Sequence, residues 1–307
     1  MKDLVLHTKN LTKKYKNHIA LDNVNIKINR GDIYGLVGKN GAGKTTLMRI
    51  ITGLSLQDSG EIELFSKTSK DELNKERMRT GCIIETPSFF PYLSGKKNLE
   101  YYRIQKGIPE KDCVDKVLNT VGLSDTGNKK FKHYSLGMKQ RLGLALALIA
   151  SPDFLILDEP INGLDPVGIV MFRDILKKLN REKNTTILIS SHILGELSQL
   201  ATTYGFIDNG KLIEQISAKN LEEKCREYLS VKVDDTAHAS LILEKNLNCT
   251  SYQVLPDNEI KIFKYLDKPE IISEAFVKDG IKLYSISKAN ANLENYFIDL
   301  IGGGINA

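Results

Sequence analysis

Apolar residues in the first two thirds of the chain occur in short continuous runs rather than in strict alternation. Runs of this kind at residues 33–37, 154–157 and 186–189 are typical of strands in a parallel sheet covered on both faces. Helical spacing follows the first run over residues 45–54, and further helical stretches separate the strands. This alternation of strands and helices predicts an α/β domain.

Residues 87–133 are more helical and are interrupted by Gly107, Pro109 and Gly122. They predict a helical lobe inserted into the α/β domain at about residues 87–150. The pattern changes again past Gly210, where predicted strands and helices alternate in the order β-α-β-β-α-β of a ferredoxin-like fold. The predicted strands are residues 228–233, 252–255, 259–263 and 282–286, and the predicted helices are residues 237–245, 269–278 and 292–301. We therefore expect two domains, residues 1–215 and a smaller α+β domain at 216–307.

Composition, charge and cysteine spacing narrow the classes of protein that fit this pattern. Hydrophobic residues make up 41% and charged residues 26% of the 307 residues, as in an ordinary globular protein. The net charge of +5 lacks the basic clustering of a nucleic-acid binder, so no nucleic-acid partner is expected. The four scattered cysteines form no C-x-x-C pair, which predicts idle thiols in a reducing cytosol.

No stretch of the sequence predicts a membrane crossing. The start of the chain lacks the apolar region of a signal peptide. The longest apolar stretch, around residues 142–150, falls far short of the roughly 20 residues that a bilayer crossing needs. If the protein acts at a membrane, we expect another chain to cross it.

A glycine-rich segment after the predicted strand 33–37 matches the phosphate-binding pattern G-x-x-x-x-G-K-[ST]. Its glycines let the backbone point N–H groups at phosphate oxygens, and the following helix adds the positive end of its dipole. Lys44 is expected to neutralise the β- and γ-phosphates of ATP, and the Thr45 hydroxyl to hold Mg²⁺. The residues of this predicted site are Gly38, Lys39, Asn40, Gly41, Ala42, Gly43, Lys44, Thr45 and Thr46.

Two carboxylates, Asp158 and Glu159, end the apolar run 154–157. Carboxylates at the end of a buried strand are costly unless they have a cation or a proton to handle. Asp158 is therefore expected to support Mg²⁺, and Glu159 to orient and polarise the attacking water. His192 follows the strand 186–189 and is a candidate contact to the γ-phosphate.

Ser135 and Gly137 precede the apolar run 142–150. Ser135 is a natural helix N-cap, and Gly137 would let the backbone approach an anion. On their own, these two residues indicate no more than a capped buried helix.

Taken in order, these motifs resemble those of an ABC-transporter ATPase over roughly residues 1 to 215. The order runs from the phosphate-binding loop through Ser135-Leu136-Gly137 and Asp158-Glu159 to Gly163-Leu164-Asp165-Pro166 and His192. The resemblance implies that Tyr15 stacks on adenine, that Ser135 and Gly137 form the signature loop, and that Asp165 lies in the loop linking two ATP sites.

Two positions depart from the general pattern of that family. The signature has Leu136 and Met138-Lys139 where Gly and Gly-Gln are usual, and Glu85 stands where the family has glutamine. Glu85, the segment from Tyr134 to Leu142 and the tail at residues 292–297 resemble the bacitracin and lantibiotic self-protection exporters. The resemblance places Glu85 at Mg²⁺ and the γ-phosphate.

Family resemblance also implies partners and a mechanism. A signature loop cannot reach its own phosphate-binding loop, so two ATP-binding chains, identical or related, would pack head to tail around two ATP molecules. ATP hydrolysis would drive export of a peptide antibiotic through a separate membrane permease, with this chain peripheral on the cytoplasmic face. The segment after Glu85, including residues 87–93, would pass the motion to the permease.

Three alternatives stay open from the sequence. A transporter of another substrate, such as a drug, lipid or sugar, fits the same motifs because the permease selects the substrate. A soluble ABC ATPase of DNA repair or translation would carry long coiled coils or two ATPase halves, which this sequence lacks. A degenerate module without turnover is disfavoured by Lys44, Glu159 and His192.

Overall fold

The computed structural model describes residues 3–85, 88–289, 296–298 and 300. The chain divides into two compact units, residues 1–218 and 219–307. No helix among the described residues is long and apolar enough to cross a membrane.

Ten strands and seven α-helices build the described part of the first unit. Strands β1 to β10 are Leu4–Tyr15, His18–Val24, Lys27–Asn29, Ile33–Val37, Ser59–Leu64, Thr80–Ile83, Phe154–Leu157, Thr186–Ser191, Thr203–Asp208 and Lys211–Ser217. Helices α1 to α7 are Lys44–Ile51, Lys70–Arg77, Gly95–Gln105, Cys113–Thr120, Leu136–Leu148, Pro166–Lys183 and Leu194–Leu197.

A six-stranded sheet in the order β10-β9-β4-β8-β7-β6 forms the centre of this unit. Strands β9, β4, β8, β7 and β6 are parallel, and β10 pairs antiparallel with β9. Every residue of β4, β7 and β8 is buried, because these strands are covered on both faces. The α/β prediction is confirmed. A second, antiparallel sheet has β1 between β2 and β3, with β5 also paired to β1.

The predicted site residues lie at one edge of the central sheet, because the strands that lead to them are parallel. The carboxyl ends of parallel strands meet at the same edge of a sheet, where ligands of α/β proteins bind. Strand β4 leads into the glycine-rich loop and α1, β7 ends before Asp158, and β8 ends before His192. The segment between β6 and β7 contains helices α3, α4 and α5, in agreement with the predicted helical lobe.

The change of pattern at Gly210 is a hairpin turn rather than the end of the first unit. Asn209 and Gly210 have φ angles of 45° and 77°, as a two-residue turn between β9 and β10 requires. On β10, the Gln215 side chain bonds to the main chain of Lys27 at 3.2 and 2.8 Å and accepts the Tyr34 hydroxyl at 3.2 Å. Tyr34 is fully buried, and burial raises the pKa of its hydroxyl well above the usual range.

The second unit is a four-stranded antiparallel sheet with helices. Its helices α8 to α10 are Ala218–Lys224, Thr236–Lys245 and Glu270–Lys278, and its strands β11 to β14 are Tyr228–Val233, Tyr252–Leu255, Glu259–Ile262 and Leu283–Ala289. The sheet order is β12-β13-β11-β14, so the predicted β-α-β-β-α-β arrangement of a ferredoxin-like fold is present. Of the predicted helix 292–301, residues 292–295, 299 and 301 lie outside the described residues.

Candidate nucleotide site

The glycine-rich loop between β4 and α1 follows a path that needs glycine. Gly41 and Gly43 have φ angles of 83° and 107°, in the left-handed region that side chains disfavour. A Cβ atom at Gly43 would lie 2.5 Å from the Ala20 carbonyl oxygen, and one at Gly38 would lie 2.4 Å from that of Ile207. Because neither position can accommodate a side chain, the backbone N–H groups of this loop can approach an anion.

Lys44 is almost fully buried at 4% exposure. Its ammonium donates to the carbonyl oxygens of Gly38 at 2.7 Å and Lys39 at 3.1 Å, and lies 3.2 Å from Glu159 Oε1. A buried ammonium needs such partners to offset the loss of water. These contacts hold the positive charge against the loop that would receive phosphate.

Asp158 receives two hydroxyl groups. Thr45 Oγ1 donates to its Oδ2 at 2.6 Å, and Ser190 Oγ donates to its Oδ1 at 2.7 Å. The same Ser190 oxygen accepts the backbone N–H of Glu159 at 2.9 Å. Ser190 therefore joins β8 to both carboxylate positions. Its role was missed from the sequence, where it is simply part of the Ser190-Ser191 pair before His192.

Glu159 lies between two basic side chains. Its Oε1 faces Lys44, while its Oε2 lies 3.2 Å from His192 Nδ1 and accepts Asn162 Nδ2 at 3.5 Å. The φ angle of Glu159 is 44°, an uncommon left-handed conformation for a long side chain. Such outliers concentrate at functional sites, where surrounding contacts hold them in place.

Glu85 lies just past the end of β6, and β6 is the strand next to β7. It too has a left-handed backbone, with φ of 65°, and its carboxylate forms an ion pair with Arg49 of α1. Arg49 and the ion pair were not predicted. Thr86 and Pro87, which belong to the predicted coupling segment, lie outside the described residues.

Most of these groups surround one open cavity of about 490 Å³ at the carboxyl edge of the sheet. Three lining residues were not assigned to the site from the sequence: Ile83, Asn162 and Gln140, the last of which lies in the segment from Tyr134 to Leu142. The lining residues are Asn40, Thr45, Ile83, Glu85, Gln140, Asp158, Glu159 and Asn162.

Ser135, Gly137 and Asp165 line a different cavity, of about 410 Å³. Ser135 caps α5 by accepting the Met138 N–H at 3.3 Å, as its place before an apolar helix predicts. Asp165 caps α6 by accepting the Gly168 N–H at 3.1 Å. The chain therefore does not bring these residues to the cavity that contains Thr45 and Glu159.

Tyr15 lines neither of these two cavities. Its ring is at the end of β1 and is 44% exposed, with the Lys13 ammonium 5.3 Å from the ring centroid. Its hydroxyl lies 3.4 Å from Ser55 Oγ. An exposed ring in this position can offer a face to a base.

The donor set around Asp158 fits Mg²⁺ held together with a nucleotide. Mg²⁺ takes oxygen ligands, retains waters and binds through one or two protein groups plus phosphate oxygens. Thr45 and Asp158 supply a hydroxyl and a carboxylate in contact with each other. No group of three or more His, Cys, Asp or Glu side chains among the described residues could hold a metal by itself.

Comparison with known proteins agrees with this geometry. The ABC transporter family model matches residues 21–162. The bacitracin transport ATP-binding protein BcrA of Bacillus licheniformis is 41% identical over 98% of both chains. The lantibiotic transport ATP-binding protein SrtF of Streptococcus pyogenes is 44% identical over 71% of this chain and 95% of its own.

Among solved structures, a dimeric ATP-binding cassette in a post-hydrolysis state, bound to ADP and Pi, matches with a TM-score of 0.63. That match is 26% identical and covers 69% of this chain and 98% of the cassette. The chain belongs to the ABC transporter family, as an ATP-binding subunit that hydrolyses ATP.

Proposed function

We propose that this chain works as one of two ATP-binding subunits that pack head to tail beneath a membrane permease and export a peptide antibiotic. Each ATP would bind with Mg²⁺ between Lys44 of one subunit and Ser135 of its partner. The observation that carries this proposal is the separation of the predicted residues into two cavities of one chain. A symmetric pairing would bring the cavity with Ser135 against the cavity with Thr45.

Local contacts support the roles proposed for the individual residues. Lys44 and the N-terminus of α1 would bind the β- and γ-phosphates. Thr45 and Asp158 would hold Mg²⁺, which would offset the charge that develops on the transferred phosphoryl group. Glu159 would orient the attacking water and take up its proton. His192, 3.2 Å from Glu159, would keep that carboxylate in place and contact the γ-phosphate.

The loop after Glu85 is suited to pass motion to the permease because it rests on the helical segment. The Phe89 ring packs against Tyr102 of α3 and against Phe131, at centroid distances of 5.9 and 5.0 Å. The Tyr102 hydroxyl also bonds to the Ser88 carbonyl oxygen. A movement of Glu85 would therefore be transmitted to the surface around this loop.

Antibiotic export is supported by two observations that point in the same direction. The resemblance puts Glu85 where the wider family has glutamine, and the bacitracin relative aligns over 98% of both chains. That alignment includes a counterpart of residues 219–307, which a cassette alone would lack. The permease would place this chain on the cytoplasmic face of the cell membrane.

A resistance assay tests the substrate class. Cells lacking this chain and its permease would be complemented with the wild-type pair or with a Glu159→Gln pair, and growth would be scored against bacitracin, a lantibiotic and an unrelated drug. We expect the wild-type pair alone to raise resistance to one of the two peptide antibiotics. Protection against only the unrelated drug, or none at all, would contradict antibiotic export. Recovery of the chain with a membrane protein would test the permease partner separately.

A further inference from the structure

Arg49 lies on the same face of α1 as the metal-site residue Thr45. The two residues are four positions apart, the spacing that places side chains one above the other on a helix. Thr45 reaches Asp158 beyond β7, and Arg49 reaches Glu85 beyond β6. Since β6 and β7 are parallel neighbours, one helix face contacts acidic residues at the ends of two adjacent strands.

Three carboxylates, Glu85, Asp158 and Glu159, line the 490 Å³ cavity, and no cationic side chain lines it among the described residues. A polyphosphate that enters such a cavity is repelled by each carboxylate that lacks a compensating partner. Asp158 accepts two hydroxyl groups, and Glu159 lies beside Lys44 and His192. For Glu85, the corresponding partner is the guanidinium of Arg49.

We propose that Arg49 is a positioning residue for nucleotide binding that acts through Glu85. It holds the Glu85 carboxylate against α1 and offsets its charge, so that the third carboxylate does not repel the phosphates. A glutamine at position 85 would need no such partner. This inference rests on the proposed nucleotide site and adds the reason why a charged residue is tolerated there.

Calorimetric titration of the full chain with a non-hydrolysable Mg²⁺-nucleotide tests the inference without relying on turnover. The set comprises wild type, Arg49→Gln, Glu85→Gln and the double variant. We expect Arg49→Gln to weaken nucleotide affinity about three- to tenfold, the size of a partly screened charge interaction. Glu85→Gln serves as the reference background, in which Arg49 has no carboxylate to hold, so the double variant should bind like Glu85→Gln.

Two further measurements distinguish a positioning role of Arg49 from a general effect of losing a charge or of destabilising α1. Arg49→Lys should retain most of the affinity, since it keeps the cation near Glu85. The penalty of Arg49→Gln should shrink at high ionic strength, because both partners are substantially exposed. Arg181→Gln is the matched control, since Arg181 is also a basic residue in the last turn of a helix, but its carboxylate partner, Glu182, does not line the cavity.

An equal penalty for Arg49→Gln in the wild-type and Glu85→Gln backgrounds would overturn the inference, because Arg49 would then act independently of Glu85. Unchanged affinity of Arg49→Gln would overturn it as well. Failure of the proposed nucleotide site is a separate outcome, recognised when Lys44→Ala binds the Mg²⁺-nucleotide as tightly as wild type does.

Discussion

The interiors of the two units differ in what they bury. Every buried polar or charged side chain among the described residues lies in residues 1–218, and several of them, such as Lys44 and Ser190, belong to the nucleotide site. In residues 219–307, the buried side chains that the structure describes are all apolar, with Cys249 among them. Polar groups are costly to bury, so the first unit retains them where they organise chemistry. The second unit buries no such group among the described residues, so its interior offers no counterpart to the polar site of the first unit.

Glu159→Gln should produce the largest effect. Loss of the carboxylate removes the group proposed to accept a proton from water, a contribution of about 10²- to 10⁴-fold in rate. The shape of the site and the hydrogen bond from the Glu159 main chain to the Ser190 hydroxyl would be preserved. Steady-state ATP hydrolysis should fall by that factor while ATP affinity stays near wild type. Hydrolysis within about twofold of wild type would contradict the role of Glu159.

Phe276→Ala tests the second unit. Phe276 is fully buried in its apolar core, and removing a buried phenylalanine costs about 3–5 kcal/mol. The second unit should unfold at lower denaturant concentration, whereas ATP affinity should not change. Val277→Ala, on the same helix at 62% exposure, is the control and should have little effect. A loss of ATP affinity in Phe276→Ala would contradict the division of roles between the units.

Lys44→Ala removes the buried cation of the nucleotide site. A charge-assisted contact is worth about 1.5–3 kcal/mol, so its loss should raise the dissociation constant for ATP roughly ten- to hundredfold. Calorimetry measures the change directly. Because Glu159 would lose one of its two basic partners, Lys44→Ala/Glu159→Gln should be more stable than Lys44→Ala alone, a difference that thermal unfolding can detect.

Two truncations locate the end of the first unit. A chain ending at Ala218 keeps β10 and should fold and bind ATP. A chain ending at Gly210 loses Gln215, so the buried Tyr34 hydroxyl loses its acceptor, at a cost of about 1–3 kcal/mol in the free energy of unfolding. It also exposes the edge of β9. Equal stability of the two truncated chains would show that β10 is dispensable.

How far the sequence alone predicts the site depends on the distance along the chain between its parts. The loop around Lys44 and the pair Asp158-Glu159 could be predicted because each motif is contiguous and follows an apolar strand. The contacts of Ser190 with Asp158 and of Arg49 with Glu85 could not, since they require that β8 and β6 both flank β7.

The fold of the second unit was predictable because its strands and helices have clear boundaries, and β11 and β12 begin and end where the pattern places them. Strand β10 was assigned less well. The Asn209-Gly210 pair is a hairpin signal, but the sequence pattern marked only a change of character there, and the expected domain boundary at residue 215 falls within β10. Only the pairing with β9 shows that β10 completes the first sheet.

The central claim is that two half-sites from two chains make one ATP site, and mixing two inactive variants tests it most directly. Glu159→Gln disables one half-site, and Gly137→Asp places a negative charge in the other. A side chain at Gly137 would meet only Leu164 at an ordinary 3.7 Å, so the fold should tolerate it. Each variant alone should be inactive, and an equimolar mixture should recover about a quarter of wild-type hydrolysis, because half of the dimers contain one intact site. A mixture as inactive as its components would contradict the shared site.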